Sequence, residues 1–477
     1  MTLALAADIG STFTKLTLVD VDSEHIVAQA MGPSTVATDV TDGFHQAFAS
    51  LRAQYPVELE QIELKLACSS AAGGLRMVAV GLVPRLTVEA AKIAAFGAGA
   101  KVMATFAYEL TEHDVDRINE VAPDIVLLAG GTDGGEKKTI VHNAQLLARR
   151  GPDIPYIVAG NRVVSEKIHR IFLRGDKTAV VVRNVMPEIN RLETEMPTRA
   201  IREVFINRVT QAKGISKIER LLGQVMMPTP LAVFRAIHLL AAGTDGESGV
   251  GDVIAVDVGG ATTDVVSVCT GLPSSVKVMQ RGLPEPYAKR TVEGDIGMRW
   301  SAPQLLQEAG EEKILAHLGG ATINLHERVQ LLHDNVAAIP NDCEEQLLDT
   351  ALARVAVQLA VRRHAGRLER FLTPDGEMYV QRGKDLTQVR QCIGTGGPIA
   401  HAENPKEILQ DCLYNPADPF SLLPRQLNFY IDRSYTLYAM GLLAETMPDK
   451  AVRMMKRYLR FEKGANKTTL GNESTSG

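Results

Sequence analysis

Cysteine is scarce in this 477-residue sequence, and the five present (Cys68, Cys269, Cys343, Cys392 and Cys412) are scattered, odd in number and without a Cys-x-x-Cys spacing. That pattern speaks against a disulfide framework and against a thiolate metal centre. The eleven histidines show neither a His-x-x-x-His pair nor a Cys/His cluster, so each reads as structural. No apolar run approaches the roughly 20 residues a membrane helix needs. No basic leader precedes the apolar residues that begin at Leu3, so no signal peptide is expected and the cytoplasm is the simplest compartment. Basic residues are not in excess: 51 Lys and Arg stand against 56 Asp and Glu, a net charge of −5, which argues against nucleic-acid binding. The one cationic stretch, residues 450–463, reads as the solvated face of a helix. A Walker loop, Gly-x-x-x-x-Gly-Lys-Ser/Thr, is also missing.

What is present is an ordinary globular composition, 45% hydrophobic and 22% charged, in a chain long enough for two or more domains. Residues 3–8 alternate, with Leu3, Leu5 and Ala7 on one face. They run into Asp8-Ile9-Gly10-Ser11-Thr12, and residues 15–20 return as a second apolar segment. Strand, glycine turn, strand predicts a β-hairpin. The event recurs at residues 252–269, around Asp257-Val258-Gly259-Gly260-Ala261-Thr262-Thr263-Asp264. Superposing the two acids aligns Gly10 with Gly259 and Thr14 with Thr263 without a gap.

A second echo lies further along each half. Residues 124–129 read as a buried strand opening into Gly130-Gly131-Thr132-Asp133-Gly134-Gly135 and a helix. Residues 389–393 open in the same way into Gly394-Thr395-Gly396-Gly397-Pro398. Chance recurrence of glycine-rich strand ends accounts for one echo more easily than for two, so the expectation is a duplicated α/β domain. The expected boundaries are residues 1–245 for the first half, with extra α/β material at about 150–225, and 246–463 for the second. Residues 464–477, small and polar, are expected to form a disordered tail.

A glycine turn lets backbone N–H groups approach phosphate oxygens because no Cβ blocks the way. Around the first turn, Gly10, Ser11, Thr12 and Thr14 supply neutral donors and Lys15 a charge; around the second, Gly259, Gly260, Thr262 and Thr263 repeat the set. Asp8 and Asp257 repel phosphate directly, and their sensible task is to hold the waters of a Mg²⁺ ion that neutralises it. One such turn is ordinary hairpin chemistry. Two of them, each after a strand and before its return strand, fit a Mg-nucleotide clamped in a cleft, with Asp8 and Asp257 as the metal-holding and catalytic acids. Gly294-Asp295-Ile296-Gly297 is a further candidate loop, for which a plain turn is an equal reading.

These residues resemble a known pattern. Residues 7–14 look like the phosphate-1 loop, and residues 257–264 the phosphate-2 loop, of the actin/DnaK/sugar-kinase superfamily. Residues 393–398 stand where its adenosine loop belongs, which adds Gly394, Gly396, Gly397 and Pro398 to the binding set. Pro228-Thr229-Pro230 is similar to the entry of the helix that connects the two halves. The implied fold is two actin-like (ribonuclease H-like) ATPase halves with an inter-domain nucleotide cleft. More narrowly, the sequence resembles the MutL/GlmL family associated with adenosylcobalamin-dependent glutamate mutase, unrelated to the mismatch-repair protein of like name. The segments are residues 69–77, 128–135, 159–161, 184–189 and 437–443. The resemblance implies an ATP-dependent reactivating chaperone whose partner is a mutase; from charge and hydropathy no nucleic acid or membrane is expected as a partner. The same loops would also serve a small-molecule kinase or hydrolase. Two departures stand out: Met227 occupies the place of a glutamate that commonly polarises the hydrolytic water, and Ile399-Ala400-His401 replaces an arginine after the adenosine loop.

Overall fold

The computed structural model describes the chain except residues 11–12, 36–37, 71–74, 210–214, 224, 274, 276–277, 320–322, 337, 375 and 463–477. The expected tail, 464–477, lies outside the described residues. The chain divides into two compact units, Met1–Val233 with Gly282–Pro284, and Phe234–Arg281 with Glu285–Gly477.

Unit 1 begins with the expected hairpin. Strands β1 (Leu3–Ile9) and β2 (Phe13–Asp20) pair antiparallel, and β3 (His25–Pro33) pairs antiparallel with β2. β4 (Leu64–Ser69) then lies parallel on the other side of β1. Here the chain leaves this sheet for a second one: β5 (Arg76–Gly81), β6 (Lys101–Ala107), β7 (Ile125–Leu128), β8 (Tyr156–Val158) and β9 (Ala179–Val181) form an all-parallel sheet in the order β6-β5-β7-β8-β9. β10 (Val225–Pro228) returns to the first sheet, parallel to β4, completing the order β10-β4-β1-β2-β3.

The inserted sheet obeys the rule for strands covered on both faces, which read as continuous apolar runs. Met77, Ala79, Ile125, Leu127 and Ile157 face the core that also holds Leu5, Ala7 and Ile9. Val78, Val80, Val126, Leu128 and Val158 face a second core with Ile118, Leu147, Ile168 and Phe172. The insertion therefore shares one core with the first sheet.

Unit 2 repeats the first architecture. β11 (Val253–Val258) and β12 (Thr263–Val268) form the hairpin, and β14 (Ala288–Glu293) pairs antiparallel with β12. β17 (Gln391–Thr395) lies parallel to β11 and β18 (Asn428–Ile431) parallel to β17, with β19 (Arg460–Phe461) added at the edge. A separate three-stranded sheet combines β13 (Val278–Gln280), β15 (Arg367–Thr373) and β16 (Gly376–Arg382). Set side by side, β3-β2-β1-β4-β10 and β14-β12-β11-β17-β18 match in order and direction. Both are the ribonuclease H-like sheet of the actin-like fold.

The topology corrects the second sequence echo. The counterpart of β17 in unit 1 is β4, since Asp257 lies opposite Thr395 as Asp8 lies opposite Cys68. β7 and its glycine loop belong to the inserted sheet, which begins at Arg76, well before residue 150. Three of the segments that carry the family resemblance instead meet at the carboxyl ends of that sheet. Asn161, fully buried, donates from Nδ2 to Gly135 O (3.3 Å) and Glu136 O (2.9 Å) and accepts at Oδ1 from Gly134 N and Val163 N, both 3.1 Å. Asn184 donates to Gly131 O and to Asp133 Oδ1, at 2.9 and 3.1 Å.

This network makes a sharp prediction. Asn161→Asp replaces a buried donor with an oxygen facing two carbonyls, and should cost about 3 kcal/mol or more in urea unfolding, exceeding Asn161→Ala. A loss smaller than that of the alanine variant would refute the assigned bonds.

Candidate functional site

In unit 1 the hairpin places Asp8 next to last on β1, across from Lys15. The turn closes with Gly10 N donating to Phe13 O at 3.1 Å. A Cβ on Gly10 would stand 2.4 Å from that oxygen, so the turn requires glycine. Beneath it, Thr14 is buried, with Oγ1 3.1 Å from Ser34 Oγ, and Ser34 Oγ donates to Gly10 O at 2.5 Å. Thr14 thus braces the turn from below. Ser11 and Thr12 lie outside the described residues.

Asp8 is 4% exposed and is held from the parallel side. Thr229, opening the helix Thr229–Ala242, donates its hydroxyl to Asp8 Oδ1 at 2.6 Å, and the buried Cys68 thiol reaches the same oxygen at 3.8 Å. Burial pushes the Asp8 carboxyl above its ordinary range, while the Lys15 charge, the Thr229 hydroxyl and the Cys68 thiol pull it down. Met227, on β10 opposite Cys68, is fully buried and brings no carboxylate here.

Unit 2 repeats the turn: Gly259 N donates to Thr262 O at 2.9 Å, with Asp257 on β11 opposite Asp264. Its supports differ. Thr263, the counterpart of Thr14, is buried, and its hydroxyl finds no hydrogen-bond partner among the described residues. Bracing comes instead from residues 298–299, where Met298 N donates to Gly259 O (3.1 Å) and Arg299 N to Gly260 O (2.8 Å). The Arg299 guanidinium forks onto Asp349, Nη1 to Oδ1 at 3.1 Å and Nη2 to Oδ2 at 2.8 Å, and also reaches Ala338 O. The loop at Gly294–Gly297 therefore backs the turn, and Ser301 Oγ joins Ala261 O to Gly294 O at 2.7 and 3.3 Å.

The glycine loop after β17 comes against the same place. Gly396 has φ +89°, and a Cβ there would lie 2.2 Å from Val258 O and 2.6 Å from Asp257 Oδ1. Gly397 and Pro398 open a short helix, Gly397–Ala400. Gly394 sits inside β17 against Ile399 and Leu409, its bare face given to the core. Within unit 2, Asp257, Gly259 and Gly396 thus adjoin.

Among the described residues no group of three or more His, Cys, Asp or Glu side chains gathers to hold a metal ion. Magnesium keeps most of its waters and takes one or two carboxylates beside phosphate oxygens. One strand-end acid per turn therefore fits a metal carried by a phosphate chain and not a protein-built cage. Sequence reasoning missed Ser34, Thr229, Arg299 and Asp349 as supports; only Thr229 stood in a segment already singled out.

A family model described as MutL protein matches residues 4–459. Protein MutL of Clostridium tetanomorphum is 47% identical over 455 residues, spanning 95% of this chain and 98% of that protein. Among solved structures, a glycerol dehydratase reactivase aligns at 11% identity and TM-score 0.34, over 93% of this chain and 99% of that one. (R)-2-hydroxyglutaryl-CoA dehydratase component A of Acidaminococcus fermentans aligns at 10% and 0.31, over 94% and 99%. Among the described residues no helix is long and apolar enough to cross a membrane.

The environment of Asp8 sets a pH dependence. Its carboxyl value is raised in the fold from the ordinary 3.8, so its contribution to stability is present below 3.8 and is lost as pH rises through the folded value. Asp8→Asn should therefore melt higher than the parent at neutral pH, the gap closing toward acid pH. A variant that melts no higher at neutral pH contradicts this.

Proposed function

The chain belongs to the MutL protein family, and on that footing we propose that it is an ATP-binding reactivating chaperone for an adenosylcobalamin-dependent mutase. Glutamate (methylaspartate) mutase is the first choice of partner, because the family resemblance of the sequence points there. The observation that carries the nucleotide reading is the repeated turn. Two hairpins place an acid two residues before a glycine whose N–H closes on the residue three ahead, at 3.1 Å in one unit and 2.9 Å in the other.

In this reading the backbone of each turn binds phosphate oxygens, Lys15 adds a charge, and the loop 394–398 receives the nucleoside. Bound Mg²⁺ would neutralise the phosphate chain. Asp8 and Asp257 would hold and orient its waters, and Thr229 would fix the Asp8 carboxylate for that task. Hydrolysis by the chain alone is expected to be slow, since Met227 gives no carboxylate to polarise water. Such slowness suits a switch: the nucleotide can do work on a partner only through different affinities of ATP and ADP for two conformers. The four cysteines at positions 68, 269, 392 and 412 are buried and free, in keeping with a reducing cytoplasm.

Two measurements test this. Asp8→Ala and Asp257→Ala should each weaken Mg-ATP binding or turnover by about tenfold or more, an effect of about 1.4 kcal/mol, while Cys269→Ser changes neither. ATP turnover should rise on adding a cobalamin-dependent mutase and stay flat with a panel of sugars and carboxylic acids. A phosphorylated small-molecule product would turn the reading to a kinase.

A further inference from the structure

Tyr435 holds a backbone conformation that bulky side chains avoid, with φ +50°. The turn around it is locked on both sides. Asp432, buried, accepts at Oδ1 from Thr436 N (2.7 Å) and Thr436 Oγ1 (2.8 Å) and at Oδ2 from Leu437 N (3.1 Å). Its own N–H donates to Gly394 O at 2.9 Å, tying the turn to β17. Next to it, Arg433 donates from Nη1 to Ala400 O (3.1 Å) and Ala402 O (3.3 Å), at the far end of the short helix Gly397–Ala400. These bonds carry the Tyr435 ring to the glycine loop: its hydroxyl stands 3.7 Å from where a Cβ on Gly397 would lie. Tyr435 Oη is also 3.0 Å from His401 Nε2, and the two rings stand 5.8 Å apart at 54°.

We propose that Tyr435 and His401 form an aromatic wall for the base of the bound nucleotide, seated over the side-chain-free surface of Gly397. The inference rests on the nucleotide reading above and adds which residues hold the base. A planar heteroaromatic ring is the ligand chemistry that fits. It can lie on an aromatic face with little regard to its own substituents, and the phenol and imidazole edges supply polar atoms for its rim. Burial, then the Asp257 and Asp432 charges, push the Tyr435 phenol up to about 12, so at neutral pH it keeps its proton and donates. A backbone held out of its preferred region by three hydrogen bonds to one carboxylate, only to bring a ring to a glycine loop, has a ready purpose in ligand positioning.

The test uses the full chain, with calorimetric titration of Mg-ATP and of Mg-tripolyphosphate, which has phosphates and no base. Asparagine tolerates the left-handed conformation, so Tyr435→Asn removes the ring without adding strain. It should lower Mg-ATP affinity about tenfold or more, and His401→Ala should lower it less. Mg-tripolyphosphate affinity should stay within about twofold of the parent in both, against a tenfold step of 1.4 kcal/mol. In the same samples, magnetisation transfer from protein to the adenine H2 and H8 protons should fall in Tyr435→Asn. Equal losses for the two ligands, no loss for either, or unchanged transfer to the adenine protons overturns the wall. A parent chain that binds neither ligand removes the nucleotide reading itself, and the wall with it.

Discussion

A carboxylate set into the end of a buried strand is an unfavourable place for charge, and much of the site is arranged around keeping it there. Asp8 cannot move away, because β1 is paired on both sides, with β2 through Lys15 and with β4 through Cys68. It is not left bare, because Thr229 gives it a hydroxyl from a helix more than two hundred residues on. A group held this way is a poor stabiliser, and carboxylates perturbed in this manner gather at functional sites. The turn that follows has little freedom either. Gly10 must be glycine, and its carbonyl is pinned by Ser34.

The local half of this was legible in the sequence. Hairpin, turn and return strand are contiguous, so the alignment of Gly10 with Gly259 carried straight into matching turn hydrogen bonds, and that of Thr14 with Thr263 into the same strand register. What failed was non-local. A glycine-rich strand end serves any parallel sheet, and nothing within residues 124–135 says which sheet the strand will join. The pairing of β7 with β5 and β8 decides it, and those partners lie far off in the chain. The supports of the two turns were hidden for the same reason: Ser34 and Asp349 become relevant only when distant elements meet, and the positive φ of Tyr435 leaves no mark in composition.

The two units solve one problem in two ways. In unit 1 the turn is underpinned by hydroxyls, Thr14 and Ser34. In unit 2 the matching Thr263 hydroxyl finds no partner among the described residues, and a segment about forty residues further on takes up the turn's carbonyls. The strand order and the acid recur in both units, and the scaffolding around them differs. The inserted parallel sheet is part of that difference, and because one of its faces shares the core of the first sheet it is built into unit 1 and not merely tethered to it.

Arg299 gives the second turn a mechanical character. Its backbone N–H holds Gly260, while its guanidinium grips Asp349 on the helix Cys343–His364 and the carbonyl of Ala338. A fork of two parallel charge-assisted bonds resists rotation as well as stretching. The turn and that helix are therefore coupled as a crank to its shaft: a shift of Gly260 must drag the segment around Ala338, where Ile339 stands 74% exposed, or else break the fork.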